Sequence, residues 1–97
     1  MNKLTMIIYN EAIETEVMEV LKNCNLENFT KICAVFGKGS SSGAHFGNDI
    51  WPGRNNILFI ASDEERCRKL IFCIKELRKK LKKEGIKAFI WNLEEVT

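Results

Sequence analysis

The 97-residue sequence has one histidine, one proline, one tyrosine and no two cysteines at C-x-x-C spacing. The missing thiol pair excludes a zinc ribbon or a thioredoxin-type redox motif. A lone histidine with no paired serine and aspartate supplies no nucleophilic triad, and no Walker A sequence is present, so no catalytic residue is assigned. No apolar run approaches the roughly 20 residues of a membrane span. The apolar stretch in MNKLTMIIYNEA is too short for the core of a secretion signal, so a cytoplasmic protein is expected. A formal net charge of +2 is too small to call by itself for nucleic acid or a membrane surface. Cys24, Cys33, Cys67 and Cys73 all sit among apolar residues and read as reduced core or near-core side chains, with no metal site assigned.

What is present is a balanced globular composition, 45% hydrophobic and 29% charged, sized for a single domain over residues 1–97 with a modest core. Lys3 to Tyr9 is a short β-prone run. Residues 11 to 24 then switch to helical period, with Ile13, Val17, Val20, Leu21 and Cys24 on one stripe and Asn10 as N-cap. Phe29 to Phe36 reads as a second strand and Ile57 to Ser62 as a third. Ser62 or Asp63 can cap a second helix whose stripe is Cys67, Leu70, Ile71, Ile74, Leu77 and Leu81, running through a basic last turn to Gly85. Lys87 to Leu93 is the fourth strand. The fold class is therefore α+β: a ferredoxin-like βαββαβ order, a four-stranded antiparallel sheet with two helices on one face and a long loop between strands 2 and 3.

The strands are apolar on both parities, Leu4, Met6 and Ile8 against Ile7 and Tyr9, and Ile86, Ala88 and Ile90 against Phe89, Trp91 and Leu93. One side of such a sheet should be polar in a monomer. A second copy of the chain is the simplest cover, which predicts a homo-oligomer.

The connection over residues 37–56, GKGSSSGAHFGNDIWPGRNN, is several times the length of a hairpin turn and carries the only histidine, the only proline and every glycine but Gly85. Gly37, Lys38 and Gly39, followed by Ser40, Ser41 and Ser42, have the composition of an anion cradle and equally that of a flexible loop. Trp51 is either a packing anchor or a surface on which a ligand stacks, and Arg54 adds a cation at the end of the segment. His45 stands alone without thiol or carboxylate spacing. The segment is expected to be mobile from Lys38 to about Asn48 and anchored by Ile50, Trp51 and Pro52.

Four stretches, IIYNEAIETEVMEVL, FTKICAVFGKGSSSG, NDIWPGRNNILFIASDEE and EGIKAFIWNLEEV, together resemble the PII-like signalling proteins, relatives of the nitrogen regulatory protein PII. The W-P-G before strand 3 and the K-A-F…EEV ending look like a PII-like subgroup rather than the standard nucleotide-binding type. The resemblance implies a trimer with sheets facing one another around its axis. It also implies that residues 37–56 correspond to the long T-loop that contacts a regulated protein, with small ligands at clefts between subunits under that loop.

Phe36-Gly37-Lys38 lines up with the family's F-G-R step, Thr30 with a threonine near the adenine and Lys87 with a phosphate-contacting lysine. The family's T-G-x-x-G-D-G-K turn is here LKKEGIK, and the chain ends at Thr97 where nucleotide binders continue into a segment with arginines. Standard ATP/ADP binding is thus not expected, and the ligand set reads Thr30, Gly37, Lys38, Gly39, Trp51, Arg54 and Lys87. With no tyrosine in the loop the family's uridylylation has no acceptor, while Ser40, Ser41, Ser42 and His45 mark the regulatory segment.

The function expected is thus a non-enzymatic trimeric regulator with an unidentified small ligand and protein partner. Two alternatives share the topology. One is a CutA-like metal-binding trimer. The other is an RRM-like RNA-binding domain, disfavoured because NNILFIA has one phenylalanine and no basic, glycine-rich aromatic run.

Overall fold

In the computed structural model, residues 1–37, 54–81 and 85–97 are described. Their order is β1 (Lys3–Asn10), a 3-10 turn (Glu11–Ile13), α1 (Glu14–Asn23), β2 (Thr30–Val35), β3 (Asn55–Ser62), α2 (Glu64–Lys80) and β4 (Ile86–Asn92). The strands form one antiparallel sheet in the order β2-β3-β1-β4. Each β-α-β unit thus spans one intervening strand, which is the split arrangement read from the sequence.

Local chemistry sets the boundaries. Asn10 caps as expected, its side chain accepting from Ala12 N, but the first turn is 3-10 and the α-helix begins only at Glu14. At the other end of α1, Asn25 takes a left-handed conformation (φ 57°). Leu26 N then donates to Leu21 O at 2.9 Å and Asn25 N to Lys22 O at 3.0 Å, while Leu21 and Leu26 are both buried, which is a Schellman stop with its apolar contact. Asp63, rather than Ser62, caps α2 by accepting from Arg66 N at 2.8 Å. That helix ends at Lys80, short of the expected Gly85, after a last turn containing Arg78, Lys79 and Lys80, whose positive charge suits the helix dipole.

Alternation along the strands decides which face meets the helices. Thr5, Ile7 and Tyr9 of β1, Leu58 and Ile60 of β3 and Ile86 of β4 are buried beneath Val17 and Leu21 of α1 and Leu70 and Ile74 of α2. The opposite parity carries Leu4, Met6 and Ile8 of β1, Ile32 of β2, Ile57 and Phe59 of β3, and Phe89 and Trp91 of β4. No described element covers this second face, and Ile32, Phe89 and Trp91 stay 45%, 41% and 46% exposed. The apolar doubling of the strands is therefore physically real: one set builds the core and the other lies bare.

One expectation changes. Cys33 is exposed rather than near the core, because β2 is an edge strand whose register shifts between Ile32 and Val35, displacing the residues between them from the ladder. Cys24 and Cys67 are buried as expected, with Cys73 at intermediate burial. Phe72 of α2 is exposed at 63%.

Candidate functional site

The strand ends that lead into and out of residues 37–56 sit beside the ends of β1 and β4. Val35 pairs with Asn55, Asn55 with Asn10, and Tyr9 with Ile86. Two backbone bonds knit this end together, Glu11 N to Arg54 O at 2.9 Å and Asn10 N to Gly85 O at 3.0 Å. Gly37 is at the β2 side of the same end, where a Cβ would come within 3.2 Å of the Asn55 side-chain nitrogen. Of the expected ligand residues, Gly37, Arg54 and Lys87 thus share one end of the sheet, all of them exposed.

Thr30 stands apart from them. It lies on edge strand β2 opposite Phe59, whereas Lys87 lies on the other edge, opposite Ile8 on β1. With β3 and β1 between, three strand spacings separate these residues by roughly 14 Å across the sheet. Both are on the outer parity. Lys38, Gly39, Ser40, Ser41, Ser42, His45 and Trp51, and with them the expected contrast between residues 38–48 and the anchor at Ile50, Trp51 and Pro52, lie outside the described residues.

Beneath the loop-bearing end is a polar cluster that pattern reading missed. Glu14, on the first turn of α1, accepts hydrogen bonds from the Tyr9 hydroxyl, from Lys31 Nζ and, at 3.2 Å, from Asn56 Nδ2. Asn56 Oδ1 in turn accepts from Ala34 N at 3.1 Å. Ala34 has φ 59°, a left-handed conformation that costs a non-glycine residue roughly 1–2 kcal/mol. Its amide, released from the ladder by the register shift, is thereby satisfied by a side chain from the next strand. Four elements, β1, α1, β2 and β3, meet in this one network.

The electrostatics follow from the contacts. Burial alone would raise the Glu14 carboxyl, but the bonds from Lys31, Tyr9 and Asn56 outweigh it and hold Glu14 below the usual carboxylate range. The Glu14 bond keeps Lys31 protonated to higher pH. Burial, reinforced by the adjacent carboxylate, pushes the Tyr9 phenol well above its ordinary value. At neutral pH the network is a carboxylate, an ammonium and a neutral phenol, with matched donors and acceptors. Its chemical capacity is positioning: it fixes the strand that enters residues 37–56 against α1. The available signals were Lys31 and Asn56, polar residues at inward positions of apolar strands.

Among the described residues, no three His, Cys, Asp or Glu side chains are grouped as a metal site, and no helix is long and apolar enough to cross a membrane.

A four-stranded antiparallel sheet with two helices on one face and the other face bare is the ferredoxin-like fold. The chain belongs to the nitrogen regulatory protein P-II family, whose profile matches residues 1–97. Proteins of this family are signalling regulators, typically oligomeric and ligand-binding. Among solved structures, it is similar to CPII from Thiomonas intermedia K12, a nitrogen regulatory PII-like protein, in its complex with ADP, AMP and bicarbonate. The TM-score is 0.74 at 16% identity, covering 99% of this chain and 93% of that one. The ligand-free form of CPII gives a TM-score of 0.66 at 13% identity, over 95% and 90% of the two chains. A PII-like signalling protein from Thermus thermophilus gives 0.69 at 20% identity, over 95% and 85%. No curated protein gives a significant sequence match.

Proposed function

We propose that the protein is a non-enzymatic, cytoplasmic regulator of the PII-like type. It assembles as a homotrimer through the bare sheet face, takes a small anionic ligand at the clefts between subunits, and presents the connection between β2 and β3 to a regulated protein. The observation that carries this reading is the uncovered face itself. Leu4, Met6, Ile57, Phe59, Phe89 and Trp91 form a continuous apolar surface that water penalises, and a self-complementary cover closes it without leaving another face bare.

The separation of Thr30 from Lys87 supports a site at the subunit boundary. These residues lie on opposite edges of one sheet, and a closed ring brings one subunit's β2 edge toward a neighbour's β4 edge. Arg54 and Lys87 then supply two cations, which favour an anion. The solved complexes of CPII with ADP, AMP and bicarbonate lend the anionic class further support.

Native mass spectrometry of freshly purified protein tests assembly and ligand together. A trimer carrying a retained small anion is expected. A monomer would remove the reading, and a trimer that instead retains stoichiometric copper or zinc would replace it with a metal-binding role.

A further inference from the structure

At the C-terminal end of α1 two thiols come together: Cys24 Sγ and Cys73 Sγ are 3.9 Å apart, and both cysteines are free. The two differ in access. Cys24 is buried at the C-cap of α1, whereas Cys73 lines an open groove of about 580 Å³ between the helices, beside Val20, Glu76 and Leu77. The helices are pinned at this point, because Arg66 Nη1 donates to Asn25 O at 3.1 Å and Lys69 Nζ to Asn23 O at 3.4 Å. Lys69 also stands one helical turn before Cys73, so a cation neighbours the pair.

We propose that Cys24 and Cys73 are a peroxide-responsive site that closes into a reversible disulfide within one chain. Cys73 is the attacking sulfur because the groove admits the oxidant. Its thiolate sulfur attacks one peroxide oxygen, the O–O bond breaks, and the departing hydroxide takes up the proton Cys73 released, leaving water and a Cys73 sulfenic acid. Cys24 sulfur then attacks Cys73 Sγ, the S–O bond breaks, and the hydroxide leaves as water with the Cys24 proton. Two thiols and one hydrogen peroxide become one disulfide and two waters, the sulfurs oxidised and the peroxide reduced.

Burial, with the neighbouring Cys73 thiol, pushes the Cys24 thiol up to about 11, which suits a resolving partner that is inert until Cys73 has reacted. The sulfurs must close from 3.9 Å to about 2.05 Å. The bond would join α1 to α2 and enclose β2, residues 37–56 and β3 in one covalent loop.

The test uses the full chain, first reduced and then treated with hydrogen peroxide, followed by intact mass and peptide mapping. Each chain is expected to lose about 2 Da, the two thiol hydrogens, and to regain them with dithiothreitol. Mapping should join the peptides containing Cys24 and Cys73. Cys33→Ser, which removes the exposed competing thiol, should keep this loss, and Cys73→Ser should abolish it. Oxygen addition at Cys73 without the mass loss, or cross-links that all run through Cys33, would overturn the proposal. The wild-type peptide map decides the matter even if a cysteine variant folds poorly.

Discussion

Replacing Phe89 by glutamate separates the two faces of the sheet. Phe89 is 41% exposed on the outer parity. For an aromatic side chain of about 200 Å² this leaves about 80 Å² that assembly would remove from water. At about 25 cal/mol per Å² that area contributes about 2 kcal/mol per subunit. Phe89→Glu forfeits this gain and adds the cost of desolvating an unpaired carboxylate, several kcal/mol more. A combined loss above about 4 kcal/mol per subunit weakens assembly by more than about a thousandfold, so sedimentation velocity at micromolar concentration should show a folded monomer with the circular dichroism of the wild type. Ile7→Glu is the matched control. Ile7 is fully buried beneath the helices, and a charge there should prevent folding rather than dissociate a folded assembly. The reasoning fails if the wild type sediments as a monomer, or if Phe89→Glu remains assembled.

The Glu14 network predicts a pH dependence at both ends. Because Glu14 is lowered from the ordinary 4.5 in the fold, its contribution is present above that pH and is lost as pH falls through the lower folded value. Lys31 and Tyr9 are raised from 10.5 and 10.0, so their contributions hold below those values and decline as pH rises toward the folded ones. Glu14→Gln, at a partly exposed site, should cost about 1–2 kcal/mol in urea unfolding at pH 7 and flatten the acid limb; an unchanged acid limb would show that the network contributes nothing. Ala34→Gly should be neutral or stabilising by up to about 1 kcal/mol, since glycine accepts the positive φ at this position, and a clear loss in denaturant midpoint would contradict the strained bulge. Calorimetry with ATP, ADP and AMP should show no submillimolar binding, because Gly85 is the only glycine in LKKEGIK and backbone approach to phosphates is correspondingly limited. A micromolar constant abolished in Lys87→Ala would restore ordinary nucleotide sensing.

The local sequence pattern set the element order and most of the core. The helical stripes, the Asn10 and Asp63 caps and the two-residue alternation of the strands are local features, and local chemistry sets them: Val17, Leu21, Leu70 and Ile74 are buried as their spacing implied. It also determined that the strands carry two apolar faces. What it left open was which face meets the helices, because Ile7 and Phe89 are equally apolar and alternation carries no label for inside. The crossovers through α1 and α2 decided that, by covering the parity of Ile7 and leaving that of Phe89 bare.

Lys31 and Asn56 interrupt apolar strands, but the cluster they join was decided by tertiary structure. Tyr9, Glu14, Lys31 and Asn56 come from four elements, and a charged residue on an edge strand is indistinguishable in sequence from one on a solvated face until its partner's position is known. The same holds for Cys24 and Cys73, 49 residues apart in the chain and in contact only because α1 and α2 lie side by side on the sheet. Spacing reports what one element can present. Which presentations meet depends on the long-range pairing that closes the fold.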